Sequence, residues 1–412
     1  MSTMILTQTN LHLPAAPRLP RPSSASPIPR QFTLDGDDVL ETRLTRICSQ
    51  VRAAVLIGII PRRSLEAIVL AGGYGRGEGG VLRTPNGDRP YNDLEFYVFV
   101  RGSTLLNEHR YAGALHLLAQ QLSASAGVDV EFKILSLARL RRSPVTMFSY
   151  DLVMGHRWLY GYEEQFAGCE HHRRAADIPL HEATRLLMNR CSGLLFSLER
   201  LRRPVFTADD ADFVGRNLAK ARLALGDVVL TATGRYHWSC RERERRLVEL
   251  GWPVWSSWPW FPGVQEQYRR GVEFKLHPQR STAPAASLRT ELEEISALAC
   301  RLWVWLESRQ LQRRFASPGE YAASDADKCP ETPRWRNWLV NLWHFGLAAL
   351  WAPGTTRYPR ERLLQSLPLL LWEPAAMLDL NFQRQLRHCL ATPATQFSEF
   401  VAAYARLWEH FR

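Results

Sequence analysis

Residues 72–80 read Gly-Gly-Tyr-Gly-Arg-Gly-Glu-Gly-Gly, six glycines in nine positions. Glycine has the largest backbone entropy cost, so no long regular element survives this density. The stretch follows the apolar run Ala67-Ile68-Val69-Leu70-Ala71, whose segment 66–71 reads as a buried strand. A strand that runs into such glycines needs a tight turn, and phosphate sites use turns of this kind. Gly75-x-Gly77-x-x-Gly80 matches the spacing of a dinucleotide-binding turn, and Glu95 follows Gly75 by 20 residues. That turn needs a helix directly after it. Residues 81–92 instead hold Pro85, Pro90 and Asn86-Gly87. Proline costs about 3 kcal/mol inside a helix, so the crossover helix has no place, and a Rossmann protein remains only the alternative. A kinase loop lacks its V-A-I-K, H-R-D and D-F-G companions.

The acids further on carry more information. Residues 93–100, Asp-Leu-Glu-Phe-Tyr-Val-Phe-Val, read as a strand. Asp93 and Glu95 are two apart, so both carboxylates leave one face. Two like charges there call for a counter-charge. A divalent ion supplies one, and Mg²⁺ prefers carboxylate and phosphate oxygens. Residues 128–134 alternate with period two and bring Asp129, with Glu131 on the same face, on a further strand. A glycine turn, an acid pair and a third acid form the set that phosphoryl transfer with metal ions requires.

The rest of the chain sets the frame. Helical spacing over 37–53 and 104–125 gives the order helix, strand, strand, helix, strand. In the first helix Asp38 and Glu41 form a capping pair ahead of Leu40, Leu44, Ile47 and Val51. After about residue 175 strand patterns nearly vanish. Segments 180–202, 208–232, 240–250, 286–315, 335–351, 360–372 and 382–411 read as helices, arranged as two bundles. In 335–351 the residues Trp335, Trp338, Leu339, Leu342, Phe345, Leu350 and Trp351 cluster on one side. The fold class is α+β: a Pro/Ser-rich tail over 1–32, a small α/β domain over 33–165, and a mainly helical region over 176–412.

Composition narrows the partners. No run approaches the roughly 18 apolar residues that span a bilayer, so no membrane partner is expected. Seven cysteines, scattered and never as C-x-x-C, fit a reduced, cytoplasmic protein. A net charge of +11 favours polyanionic partners such as nucleotide phosphates or RNA, against the plain alternative of solvated arginine-rich helix faces.

Leu70-Ala71-Gly72-Gly73 with Asn92-Asp93-Leu94-Glu95 resembles the nucleotidyltransferase signature of the DNA-polymerase-beta-like superfamily. Gly75-Arg76-Gly77-Glu78 is similar to the Ala-Arg-Gly-Glu of the minimal nucleotidyltransferases. Val128-Asp129-Val130 matches the strand of the third carboxylate, and Gly155–Tyr160 resembles the Gly-x-x-Leu-Tyr strand that follows it. The likeness covers about residues 60–165. The gap between Gly73 and Asp93 is longer than the family's, which predicts an inserted hairpin with Asn86-Gly87 at its tip. The second acid is Glu where Asp is commoner.

The resemblance implies a Mg²⁺ (or Mn²⁺) enzyme that moves NMP from an NTP to a hydroxyl on a small molecule, RNA or protein. Gly72 and Gly73 would approach the phosphates, and Asp93, Glu95 and Asp129 would hold the metal and serve catalysis. Glu131 is the alternative third ligand. Arg76 would pair with a phosphate or with Glu78. By analogy with helical second domains, Lys220 and Tyr236 would contact the nucleotide. A catalytically inactive relative that binds nucleotide or a partner is the other outcome. Cys169-Glu170-His171-His172 has no partner motif for zinc and reads as a solvated turn. The Trp-rich stretch 251–263 reads as loop packing, with base or sugar stacking as the alternative.

Overall fold

The computed structural model describes residues 31–251, 258–347, 355–373 and 379–412. Helix α1 (Asp38–Ala54) buries Leu40, Leu44, Ile47 and Val51 along one stripe. Its cap is Asp37, whose carboxylate accepts from the Leu40 N–H, one residue before the expected Asp38. Glu41 instead accepts from the N–H groups of Phe32 and Thr33 and anchors the incoming chain.

Four strands form one sheet in the order β5-β4-β1-β6. Strand β1 (Leu65–Leu70) is antiparallel to β4 (Leu94–Val100) and to β6 (Arg157–Tyr160). Strand β5 (Val130–Leu135) runs parallel to β4, and α3 (Thr104–Ala126) makes the crossover. The two central strands are apolar on both faces because both faces are covered. One packs Ile68, Leu70, Phe96 and Val98 on α1 and α3. The other packs Ala67, Val69, Tyr97 and Phe99 on Leu137, Leu152 and Phe166. Between the short α2 (Gly72–Gly75) and β4 lies the expected hairpin, β2 (Val81–Thr84) and β3 (Gly87–Pro90). Thr84 pairs with Gly87, so the tip is Pro85-Asn86, and Gly87 takes the positive φ of +96°.

After the short α4 (Leu137–Leu140), helix α5 (Met147–Met154) joins the halves. Its Leu152 and Val153 belong to the sheet's core, and its Tyr150 to the helical one. The helical half comprises α6 (Leu180–Leu201), α7 (Ala208–Ala232), α8 (Cys240–Glu249), α9 (Phe261–Leu276), α10 (Ala285–Gln310), α11 (Pro318–Ala323), α12 (Arg334–Phe345), α13 (Arg360–Trp372), α14 (Leu380–Leu390) and α15 (Phe397–Phe411). Its buried side chains form one connected apolar cluster from Tyr150 to Phe411, not two separate cores. The chain is therefore a mixed α/β molecule dominated by helix. No described helix is long and apolar enough to cross a membrane.

Two helical expectations need correction. Segment 382–411 is two helices, because Ala391 turns left-handed (φ 48°) just before Pro393. The apolar side of 335–345 faces outward. Trp335 and Trp343 are exposed, while Asn337 and Asn341 are buried and donate to carbonyls of 355–357. Buried amide groups must be hydrogen-bonded, and those carbonyls fix which side faces in. Leu350 and Trp351 lie outside the described residues.

Candidate functional site

The glycines meet three different needs. Gly72 has φ +66°, and a Cβ there would lie 3.1 Å from a Glu95 carboxylate oxygen. The turn therefore lies directly against the acid pair. Gly79 makes room for the Tyr74 ring, which a Cβ would approach to 2.0 Å. At Gly80 a Cβ would come within 3.0 Å of the Lys275 carbonyl on α9. Tyr74 then donates to the Gly80 carbonyl and accepts from the Tyr91 N–H.

Arg76 pairs with Asp151 rather than with Glu78. It is buried and donates to Asp151 Oδ2 at 2.9 Å and to the Trp238 carbonyl at 3.0 Å. Glu78 is buried too. It accepts from the Ser239 hydroxyl and from the Cys240 N–H at the start of α8, where a carboxylate complements the helix dipole. Arg76-Gly77-Glu78 is thus a clasp between the sheet domain and the helical half. Tyr236 belongs to the same network. Its hydroxyl donates to Asp151 and accepts from Arg243, which also pairs with Asp227 at 2.7 Å.

The four acids share one sheet face. The parallel register sets Glu95 beside Glu131 and Tyr97 beside Lys133. Asp129 ends just before β5, and its carbonyl accepts from the Leu94 N–H. Partial enclosure first, then the charges of Glu131, Asp129 and Glu95, hold the Asp93 carboxyl above the ordinary carboxylate range. Lys220 pulls the other way. The Lys133 ammonium lies 3.7 Å from Glu95 and 3.4 Å from Glu131. Among the described residues no three His, Cys, Asp or Glu side chains gather closely enough to cage a metal ion. Asp93 and Glu95 still fit one Mg²⁺, an ion that takes one or two carboxylates and completes its shell with water and phosphate oxygens.

A cleft of about 300 Å³ opens between α5, α6, α7 and α9, and its lining includes none of these four acids. Six cations and three carboxylates line it. Arg76, Arg185 and Arg243 are paired with Asp151, Glu182 and Asp227. Arg190, Lys220 and Lys275 form no salt bridge among the described residues. Burial first, then Arg190 and Arg216, lower the Lys220 pKa, while Asp93 raises it. Lys220, expected from the sequence to contact the nucleotide, therefore lies within electrostatic reach of Asp93. Arg190 and Lys275 escaped that reading, since only the packing of α6 and α9 brings them to Lys220.

The remaining motifs are structural. His172 is buried, with its Nε2 2.9 Å from the Leu140 carbonyl, and Cys169 is buried in the sheet core. Their segment packs against α4 and is not a solvated turn. Trp258 and Trp260 stack on each other at 4.6 Å, and Trp258 meets Trp305 edge-on. Trp252 and Trp255 lie outside the described residues.

No protein-family profile matches the chain, and no curated protein and no solved structure matches it.

Proposed function

We propose that this protein is a Mg²⁺-dependent nucleotidyltransferase that moves NMP from an NTP to a hydroxyl of an acceptor. The observation that carries the reading is a cation-rich cleft whose Lys220 lies within electrostatic reach of Asp93 on the carboxylate face. On one side is a carboxylate face against a glycine turn. On the other are Arg190, Lys220 and Lys275, which form no salt bridge among the described residues. Unpaired cations gathered at a cleft are costly and fit a polyphosphate.

In this reading the three cations grip the triphosphate, and Gly72 and Gly73 let the backbone approach it. Asp93 and Glu95 hold a Mg²⁺ whose positive charge, when bound, offsets phosphate charge. Glu131 or Asp129 takes the proton from the acceptor hydroxyl. The acceptor oxygen bonds to the α-phosphorus, the bond from that phosphorus to the bridging oxygen breaks, and pyrophosphate leaves with the electron pair. Arg76 and Tyr236 hold the cleft's floor and do not reach outward for a ligand. The cationic excess of the lining speaks against a polycationic acceptor. A second reading, nucleotide binding without transfer, draws on the lack of a three-carboxylate cage among the described residues.

Calorimetric titration with a non-hydrolysable NTP analogue and Mg²⁺ tests the site. Wild type binds, and Lys220→Met and Arg190→Met each weaken binding about tenfold, the scale of one charge-assisted hydrogen bond. No binding of any NTP analogue by the wild-type chain sinks both readings.

A further inference from the structure

The carboxylate face already contains a cation of its own. Lys133 follows Glu131 by two residues on β5, so its side chain leaves the same face. Its ammonium reaches back to both Glu95 and Glu131, at 3.7 and 3.4 Å, and lies 5.6 Å from the centre of the Tyr97 ring. Asp93, by contrast, has no salt bridge among the described residues. The four acids are therefore split. Glu95 and Glu131 share a built-in positive charge, and Asp93 is left to find one.

We propose that Lys133 stands in for one of the two cations that a two-metal site requires, so that this face takes a single divalent ion, at Asp93 with Glu95. The inference rests on the metal-dependent reading above and adds its stoichiometry. The exposed ion pair contributes little to stability. Its effect is electrostatic, because a second divalent ion between Glu95 and Glu131 would have to displace or repel the ammonium at close range.

The test is Mn²⁺ binding to the full chain, read as loss of the free-ion signal in electron paramagnetic resonance, with no nucleotide present. Wild type binds one Mn²⁺, and Asp93→Ala abolishes it. Lys133→Met keeps the aliphatic stem on Tyr97 but removes the charge. It binds a second Mn²⁺, or binds the first about ten times more tightly, as loss of one charge at short range predicts. Lys133→Arg behaves as wild type. Two ions in wild type, or Lys133→Met indistinguishable from it, overturns the inference and leaves the metal-dependent reading standing. No Mn²⁺ bound by the wild-type chain overturns both. Lys133 is half exposed, and circular dichroism of the variant confirms that its fold is retained.

Discussion

In the proposed reaction, Asp93 is the residue on which the chemistry turns. Its raised pKa means that it keeps a proton to higher pH than an ordinary aspartate. In the proposed reaction its charged form would hold the cation, so the predicted activity falls as pH drops through that pKa. Lys220 is the cationic group that lowers it. Lys220→Met therefore moves the acid limb of the kcat/KM profile to higher pH, while a variant that only weakens triphosphate binding leaves that limb in place. Arg76 shows the opposite character. Removing it leaves Asp151 short of its cation and the Trp238 carbonyl unmet. Arg76→Met lowers unfolding stability in urea by about 3 kcal/mol, the usual cost of breaking a buried pair from one side. A value near zero contradicts the clasp.

At the scale of elements, legibility followed the range of the interaction. Strand β4 was readable as an apolar run, strand β5 from period two, and the hairpin from its turn residues. These signals are local. The expected lone helix at 382–411 failed because the Ala391 turn depends on where α14 ends. Helix α9 was missed because Pro262, Gly263 and Gly271 dilute its pattern, though Gly271 serves close packing on Arg222 and Leu223. The outward side of α12 was misread for the same reason, since only the carbonyls at 355–357 decide that Asn337 and Asn341 face in. The roles of Gly79 and Gly80 were hidden because their neighbours are Tyr74 and α9. Gly79→Ala forces a methyl into the Tyr74 ring and lowers stability by roughly 1–3 kcal/mol. A thermal melt unchanged from wild type refutes that packing argument.

On the scale of the whole molecule, the site exists only because two halves meet. The acids come from residues 93–131, the unpaired cations from 190, 220 and 275, and the clasp from 76–78 with 236–240. The acids' shared face was legible in the sequence; the cleft was not, because its walls come from four helices spread over residues 147–276. The helical half contains a titration of its own. Burial pushes the Glu307 carboxyl up to about 7, although the Thr184 hydroxyl donates to it. A raised folded pKa means that the folded chain holds the proton longer, so stability falls as pH rises from about 4.5 to about 7 and stays low above. Glu307→Gln removes that loss. It raises the melting temperature over wild type at pH 8, by up to ~3 kcal/mol in stability, and changes it little near pH 5. An equal effect at both pH values contradicts the assignment.

The central claim is transfer of the α-phosphoryl group, with its nucleoside, from the triphosphate. It is tested most directly by incubating the chain with cell extract, Mg²⁺ and each NTP labelled at either the α or the γ phosphorus. For at least one NTP, α-label is expected to enter an acceptor while γ-label appears only in pyrophosphate, and Asp93→Ala abolishes both. Transfer of γ-label to the acceptor, or no α-label transfer that distinguishes wild type from Asp93→Ala, contradicts it.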